Sequence, residues 1–333
     1  MSSAPTADEI WKDARWLAQA VDPRAGLVRL VEMTAEDYRD ASFLDDRMFE
    51  SRERVTHLLP WATVADVSGR AQQDARWIFH ISHVGSTLIS RLLGELDGVL
   101  SVREPRALRD LTFFPKDVRA QFESTVGSLY SRTFGPDEKA VIKATSFVNE
   151  IAGELLQNGQ PALFLYTTPR SFIAGLLAGG NSRQDLVGKA ELRAARLAAR
   201  GVSLPAPKHE ADYAATAWAC EMIALEATDG PNVMWSDFDQ CLDDLEASLG
   251  RMAGFLRLSS TPQQLRDISN GPLTRRYSKA LQYDYSPDLR RQLLTEAEVK
   301  HRANIESALA MLDVAAETAP LLRQALIRAQ AER

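Results

Sequence analysis

The chain has 333 residues, of which 45% are hydrophobic and 25% charged, which is enough for one large α/β domain or two smaller ones. Its formal net charge of −6 excludes a global positive field for nucleic acid or an anionic membrane, so any anion site has to be local. The two cysteines, Cys220 and Cys241, form no CxxC pair. We therefore expect neither a zinc site nor a disulfide framework.

The N-terminal stretch MSSAPTADEIWKDARW is polar and acidic and lacks the basic region and apolar core of a signal peptide. No apolar run approaches the roughly 20 residues that are needed to span a bilayer. We therefore expect a cytoplasmic protein without a membrane span and without a nucleic-acid partner.

The first part of the chain is predicted to be a mixed α/β extension. Residues 5–21 have a helical spacing of apolar side chains, and the segment GLVRLVE at 26–32 indicates a short strand. Thr34 is a candidate N-cap for the helical pattern that follows it. We interpret residues 1–70 as an N-terminal extension or flap and residues 71–333 as the main domain.

From Arg76 onward, short apolar strands alternate with helices. Strands are predicted at 77–82, 99–102, 140–145, 161–168 and 232–238. Helices are predicted at 86–96, 118–134, 147–159, 171–180, 188–200, 213–228 and 241–258. This alternation is typical of a doubly wound sheet. The sequence therefore predicts a three-layer αβα fold with a central, mostly parallel sheet.

The short segment HVGST joins the first of these strands to its helix. Backbone N–H groups there have no intrahelical partner, and the helix macrodipole adds partial positive charge. Gly85 allows close approach of the backbone after Val84. Ser86 and Thr87 offer hydroxyl donors, and His83 is a candidate cation. The segment predicts an anion site, although a turn of small residues that only packs the helix on the sheet has the same pattern.

This segment lacks two features of the nucleotide loop GxxxxGK[ST]. Ser86 replaces the lysine that holds the β- and γ-phosphates, and the first glycine is absent. A shorter group such as a 5′-phosphosulfate needs backbone and hydroxyl donors but no metal. A P-loop kinase or NTPase that has lost its lysine is the alternative, and it predicts magnesium-dependent ATP binding.

The segment SHVGST at 82–87 resembles the 5′-phosphosulfate loop of the sulfotransferase superfamily, where a proline and a basic residue precede SGTT or SGST. The glycine and both hydroxyl residues match, His83 takes the basic position, and Ser82 replaces the proline. The segments REPR, VIKAT and NVMWSDF then follow in the family's order and resemble bacterial sulfotransferases. The resemblance covers residues from about 76 to 260.

The resemblance implies a P-loop NTPase-like fold of the sulfotransferase type. It also implies transfer of a sulfuryl group from 3′-phosphoadenosine 5′-phosphosulfate, without a metal, to a hydroxyl or amine of a small-molecule or carbohydrate acceptor. Glu104 takes the position of the proposed general base, and Arg106 lies two residues on. Lys143 and His83 are candidates to stabilise charge on the transferred group. His80 is interpreted as a core or supporting histidine, not as a ligand.

The sequence departs from the family where the donor's 3′-phosphate is bound. Thr167 and Gly175 stand where the family has an arginine and a serine. Arg170 and Ser171 are candidates to bind that phosphate from the helix N-terminus. The other basic candidates are Arg183, Arg275, Arg276 and Lys279, for which a solvated surface is the alternative. A non-catalytic nucleotide-binding module on the same fold is therefore a further hypothesis.

Overall fold

The structure is a computed structural model that describes residues 3–50, 52–65, 73–179, 182–280 and 282–331. Within these residues the chain forms a three-stranded antiparallel sheet near its N-terminus and a five-stranded parallel sheet after it. In the part of the chain that is described, no helix has the length and apolarity that a membrane span requires.

The strands are β1 (Trp16–Asp22), β2 (Leu27–Glu32), β3 (Thr56–Pro60), β4 (Arg76–His80), β5 (Val99–Arg103), β6 (Lys139–Lys143), β7 (Ala162–Tyr166) and β8 (Val233–Asp237). Short 3₁₀ segments occur at Asp46–Phe49, Ser146–Ile151 and Pro272–Arg275. The α-helices are α1 (Ala7–Lys12), α2 (Ala35–Asp40), α3 (Ala62–Ala65), α4 (Ser86–Leu93), α5 (Arg106–Leu111), α6 (Lys116–Tyr130), α7 (Ala152–Leu155), α8 (Pro169–Ala178), α9 (Ser182–Gly188), α10 (Ala190–Ala199), α11 (Glu210–Glu226), α12 (Phe238–Asp243), α13 (Leu245–Phe255), α14 (Pro262–Ser269), α15 (Pro287–Lys300), α16 (Arg302–Ala316) and α17 (Pro320–Ala331).

The parallel sheet has the strand order β5-β6-β4-β7-β8. Every residue of β4 and β7 is buried, which explains why these strands read as continuous apolar runs in the sequence. Helices pack along the sheet, among them α4 against β5 and β6. The predicted α/β class with a central parallel sheet is confirmed.

The strand order reverses direction at β4. The chain leaves the centre of the sheet through α4, forms the edge strand β5, returns to β6 beside β4, and only then builds β7 and β8 on the other side. In open α/β sheets, ligands bind outside the carboxyl ends of the strands at such a switch point. The segment HVGST, which spans the end of the β4–α4 connection and the first two residues of α4, lies at this position.

The N-terminal region differs from its prediction in one element. Residues 5–21 were expected to be helical, but α1 ends at Lys12 and Trp16–Asp22 is strand β1. Pairing with β2 and packing against α5 give the apolar residues of β1 a better environment than a lone helix would. The strand predicted at 26–32 is present as β2, and Thr34 caps α2 as expected, accepting from the Asp37 N–H.

Two predicted helices are also interrupted. The segment 147–159 begins as the 3₁₀ turn Ser146–Ile151 and continues only as the short helix α7. The segment 241–258 is split between α12 and α13 at Asp244, because this residue leaves the helical conformation and caps α13 by accepting from the Ala247 N–H at 3.0 Å. Asp237 caps α12 in the same way, accepting from the Asp239 and Gln240 N–H groups.

Candidate functional site

The segment between β4 and α4, residues 81–85, is called the anion loop here. Ser82, His83 and Gly85 all have left-handed backbone conformations, with φ of 74°, 52° and 61°. Such conformations cost non-glycine residues of the order of 1 kcal/mol each and persist only where the surrounding structure imposes them. The anion loop is therefore a strained turn whose shape is fixed by its neighbours.

Gly85 is required by two independent features of the anion loop. Its φ is positive, and a Cβ at this position would lie 1.9 Å from the ring of Phe238. Phe238 opens α12 directly after β8, so the last strand of the sheet brings this ring against the loop. The glycine thus permits both the turn and the close packing of an aromatic wall on it.

A cavity of about 430 Å³ opens beside the anion loop. Its lining combines loop and α4 residues 83–88 with residues 276–279, residues 283–285 and part of α15. The side chain of Thr87 belongs to this lining, is 1% exposed, and its Oγ1 has no hydrogen-bond partner among the described residues. A buried hydroxyl without a partner beside a cavity is available to bond a ligand group.

Lys279 supplies positive charge to the same cavity. Within the described residues it makes no hydrogen bond and no ion pair, whereas Arg276 pairs with Asp284 at 2.7 Å and Arg290 with Asp239 at 2.8 Å. Burial lowers the pKa of Lys279 from its ordinary value, and the Glu104 carboxylate opposes that shift. Lys279 is therefore the lining cation whose charge is not already offset by a direct partner in the described structure.

Of the two sequence departures, Gly175 lies at this cavity and Thr167 is connected to it through Asp239. The Thr167 hydroxyl donates to Asp239 Oδ2 at 2.5 Å, and the other oxygen of Asp239 accepts from the Arg290 guanidinium. Gly175 lines the cavity, as does Arg290. Asp239 therefore links Arg290, from α15, to Thr167, which directly follows β7. At this position the sulfotransferase superfamily carries an arginine on the strand itself.

His83 lines the cavity, and its side chain is exposed there. Desolvation by the surrounding residues, helped by the nearby positive charge of Lys279, lowers the pKa of His83 below its usual value. The imidazole of the ligand-free protein is therefore neutral near pH 7. A bound anion would raise this pKa again, so the role of His83 as the local cation stays a prediction.

The structure brings Glu104 and Lys143 together at the carboxyl ends of two adjacent strands. Arg103 is paired with Lys143 in the β5–β6 register, and the Glu104 N–H donates to the Lys143 carbonyl at 2.7 Å. The Lys143 ammonium donates to the Glu104 carboxylate from a fully buried position. Burial lowers the pKa of Lys143 to about 8, although Glu104 opposes the shift.

Arg47 is a third member of this group, which the sequence reasoning missed. It lies in the 3₁₀ segment Asp46–Phe49 and donates to Glu104 Oε2 at 3.2 Å. Asp45 accepts from the same guanidinium at 2.6 Å, and Phe43 lies under it at 3.4 Å from the ring centroid. The N-terminal region thus reaches the candidate general base. No sequence motif marks Arg47, because its role depends on a contact between distant parts of the chain.

Other predicted site residues have different partners. Arg106 pairs with Asp46 at 2.6 Å and with Asp110 at 3.1 Å, which turns its charge toward the N-terminal region. Arg170 pairs with Glu306 at 2.9 Å. Neither arginine is among the residues that line the cavity, so their action at the site stays a prediction.

The remaining candidates divide between the cavity and its surroundings. Val84 and Ser86 are buried and line the cavity. The Ser171 N–H donates to Thr168 Oγ1 at 3.2 Å as part of a helix cap. Arg275 is exposed and is not among the cavity-lining residues, unlike its neighbour Arg276. The side chain of Arg183 lies outside the described part of the chain.

No family model matches this chain, and no curated protein matches it. Solved structures do match. The sulfotransferase domain from the curacin biosynthetic pathway is 14% identical over 66% of this chain and 87% of that one, with a TM-score of 0.40. Mouse sulfotransferase SULT7A1 complexed with PAP is 11% identical over 79% and 92%, with a TM-score of 0.41. Sulfotransferase STF9 from Mycobacterium avium is 10% identical over 90% and 97%, with a TM-score of 0.40. All three belong to the family that the sequence motifs resemble.

Proposed function

We propose that the chain is a sulfotransferase that takes its sulfuryl group from 3′-phosphoadenosine 5′-phosphosulfate. The observation that carries this proposal is that the anion loop and Lys279 line one cavity, with Lys279 unpaired among the described residues. Loop amides, the Thr87 hydroxyl and one ammonium are the donors that a 5′-phosphosulfate needs. The proposed acceptor is a hydroxyl or amine of a small molecule or carbohydrate.

The composition of the cavity supports a nucleotide as the carrier of that anion. Its volume falls within the roughly 300–1,000 Å³ that small-molecule sites occupy. Tyr277, Tyr283 and Tyr285 belong to its lining, and aromatic rings suit the flat face of a nucleobase. A nucleotide therefore fits both the polar and the aromatic parts of the lining.

The 3′-phosphate of the donor is assigned to Arg290, with Arg276 as a second cation. Arg290 is held by Asp239, which also accepts from the Thr167 hydroxyl, and it lies over the Phe238 ring at 5.2 Å from its centroid. A guanidinium that is held in this way loses little freedom on binding a phosphate. Arg290 from α15 and Arg276 from the segment before it thus take the place of the arginine and serine that the family uses.

Glu104 is proposed to act as the general base. Its carboxylate takes the proton of the acceptor while the acceptor oxygen or nitrogen forms a bond to sulfur. The bond between sulfur and the oxygen of the 5′-phosphate breaks, and its electron pair leaves with the nucleotide. Lys143 and Arg47 hold the carboxylate in place, and neutral His83 can donate one N–H to an anion.

The test is release of 3′-phosphoadenosine 5′-phosphate from the donor in the presence of a panel of hydroxyl and amine acceptors. Replacing Glu104→Gln is expected to lower single-turnover transfer at least about 100-fold, the usual size of a general-base contribution. Glu36→Gln, which changes an exposed glutamate, is the matched control and should leave the rate unchanged. Full transfer by the Glu104→Gln protein would rule out this residue as the base.

A further inference from the structure

His80 is the last residue of β4 and directly precedes the anion loop. It is 5% exposed, and its Nδ1 accepts a hydrogen bond from the Ser82 N–H at 3.0 Å. Ser82 is the first of the left-handed residues in the loop, with a φ of 74°. The ring of His80 therefore bonds the backbone at the position where the chain enters its strained conformation.

This contact requires a particular form of the imidazole. A nitrogen that accepts a hydrogen bond carries a lone pair, so the ring is neutral and its proton lies on Nε2. The surroundings favour this form, because burial, with the charge of Lys143 second, lowers the pKa of His80 well below its usual value. The ring is thus a permanent acceptor for the loop at physiological pH.

The backbone of His80 is held from another direction. Its carbonyl accepts from Asn149 Nδ2 at 2.9 Å, and the same amide group donates to Glu221 Oε2 at 3.0 Å. Asn149 lies in the 3₁₀ segment after β6, and Glu221 lies in the middle of α11. All three residues are buried. The 3₁₀ segment after β6 and α11 therefore hold the C-terminal end of β4, and the side chain of His80 holds the loop.

A histidine that only fills space in the core would not need this geometry. An apolar ring of similar size could pack at the same position, but it would leave the Ser82 N–H without an acceptor. Strained backbone persists only when its surroundings over-determine it, and a hydrogen bond at the first strained residue is one such constraint.

We propose that His80 is a positioning residue that holds the anion loop in the shape that binds the donor's anion, by accepting the Ser82 N–H on Nδ1. The proposal rests on the proposed function for its ligand, but the loop shape can be tested without one. His80 does not line the cavity, so its effect passes through the loop backbone and not through contact with the ligand.

The test compares His80→Leu, which removes the acceptor, with His80→Asn, whose Oδ1 lies near the position of Nδ1. Amide hydrogen exchange at Ser82 is measured in the ligand-free protein, and the affinity for 3′-phosphoadenosine 5′-phosphate is measured by calorimetry. His80→Leu is expected to speed exchange at Ser82 and to weaken binding by about tenfold each, the effect of losing one hydrogen bond. His80→Asn is expected to restore both to within about threefold. His301→Asn, in the turn between α15 and α16, is the matched control.

Unchanged exchange at Ser82 in His80→Leu would overturn the proposal. So would a failure of His80→Asn to restore exchange when thermal unfolding shows that both variants are equally stable. If the wild-type protein does not bind the nucleotide while exchange responds as expected, the positioning role stands and the donor assignment fails. Hydrogen exchange at Ser82 therefore tests the positioning role of His80, and nucleotide binding by the wild-type protein tests the donor assignment.

Discussion

Lys143 is fully buried and donates its ammonium to the carboxylate of Glu104 at the end of the adjacent strand. Arg47 bonds the other oxygen of the same carboxylate at 3.2 Å. A carboxylate held by two cations at the carboxyl edge of a parallel sheet is suited to accept a proton from a substrate in a fixed position. Several expectations about stability and binding follow from this arrangement and from the cavity next to it.

The buried ammonium makes the stability of the Glu104 variant depend on pH. Glu104→Gln leaves Lys143 without its charge partner, so we expect a loss of about 3 kcal/mol in the free energy of unfolding at pH 7. The folded pKa of Lys143 lies below its unfolded value of about 10.4, so the unfolded state binds more protons in this range and stability rises with pH from about 8 to 10. Denaturant titrations at pH 7 and pH 9.5 measure the difference.

The double variant Glu104→Gln, Lys143→Met serves as the control for this effect. Removing the ammonium as well should recover most of the lost stability at pH 7, because no unpaired charge remains buried. An equal loss at both pH values, or no recovery in the double variant, contradicts the buried-pair interpretation.

The lowered pKa of His83 predicts how the free energy of unfolding changes at acidic pH. Its folded pKa of about 4 lies below the unfolded value of about 6.5, so the unfolded state binds more protons between these values and stability falls as the pH falls. Because the His83 side chain is exposed and solvent screens its charge, the loss attributable to His83 is only a fraction of what the full shift would give. His83→Asn should remove that part of the loss, whereas His57→Asn, on β3, should not. Identical pH profiles for wild type and His83→Asn contradict the lowered pKa of His83.

Gly85→Ala tests the shape of the anion loop. The added Cβ conflicts with the positive φ and with the Phe238 ring at 1.9 Å, so we expect a loss of about 2 to 4 kcal/mol together with loss of anion binding. Gly254→Ala in α13 is the matched control, because its Cβ meets nothing within 4 Å and alanine favours helix. Thermal unfolding of both variants compares them, and equal midpoints would refute the requirement for glycine.

The variant Lys279→Met is expected to weaken nucleotide binding without lowering the stability of the protein. Without its ammonium the cavity loses its unpaired cation, so affinity for 3′-phosphoadenosine 5′-phosphate should fall about 10- to 100-fold. Stability should not fall, because burial already disfavours that charge. Arg275→Met, in the same segment but exposed and outside the lining, should bind like wild type. Equal loss of affinity in both variants would indicate a general effect of surface charge.

The sequence predicts the parallel sheet because its strands are short apolar runs that burial on both faces requires. It also locates the anion loop, since HVGST has both the glycine and the hydroxyl residues of such a turn. Glu104 and Lys143 are both candidates from the sequence, but their pairing depends on the adjacency of β5 and β6, which the sequence does not reveal. The sheet and the loop depend on local pattern, which the sequence carries directly.

Other features depend on contacts between distant segments and could not be read from the sequence. Arg47 reaches Glu104 from the N-terminal region, and Arg290 reaches Asp239 from α15. Lys279 could not be distinguished from its basic neighbours before the cavity was seen. The lowered pKa of His83 depends on the residues that the fold places around it, among them Lys279. The helix expected at 5–21 gives way to β1 because β2 offers it a partner.

Calorimetric titration of the protein with 3′-phosphoadenosine 5′-phosphate in the presence of a chelator is the decisive test of the donor assignment. We expect saturable binding with a Kd in the micromolar range, about 6 to 8 kcal/mol of binding free energy, without magnesium and tighter than that of adenosine 5′-phosphate. Magnesium-ATP, titrated in parallel, should bind more weakly. No binding at millimolar nucleotide, or tight binding of ATP only when magnesium is present, would contradict the assignment of this cavity to a phosphosulfate donor.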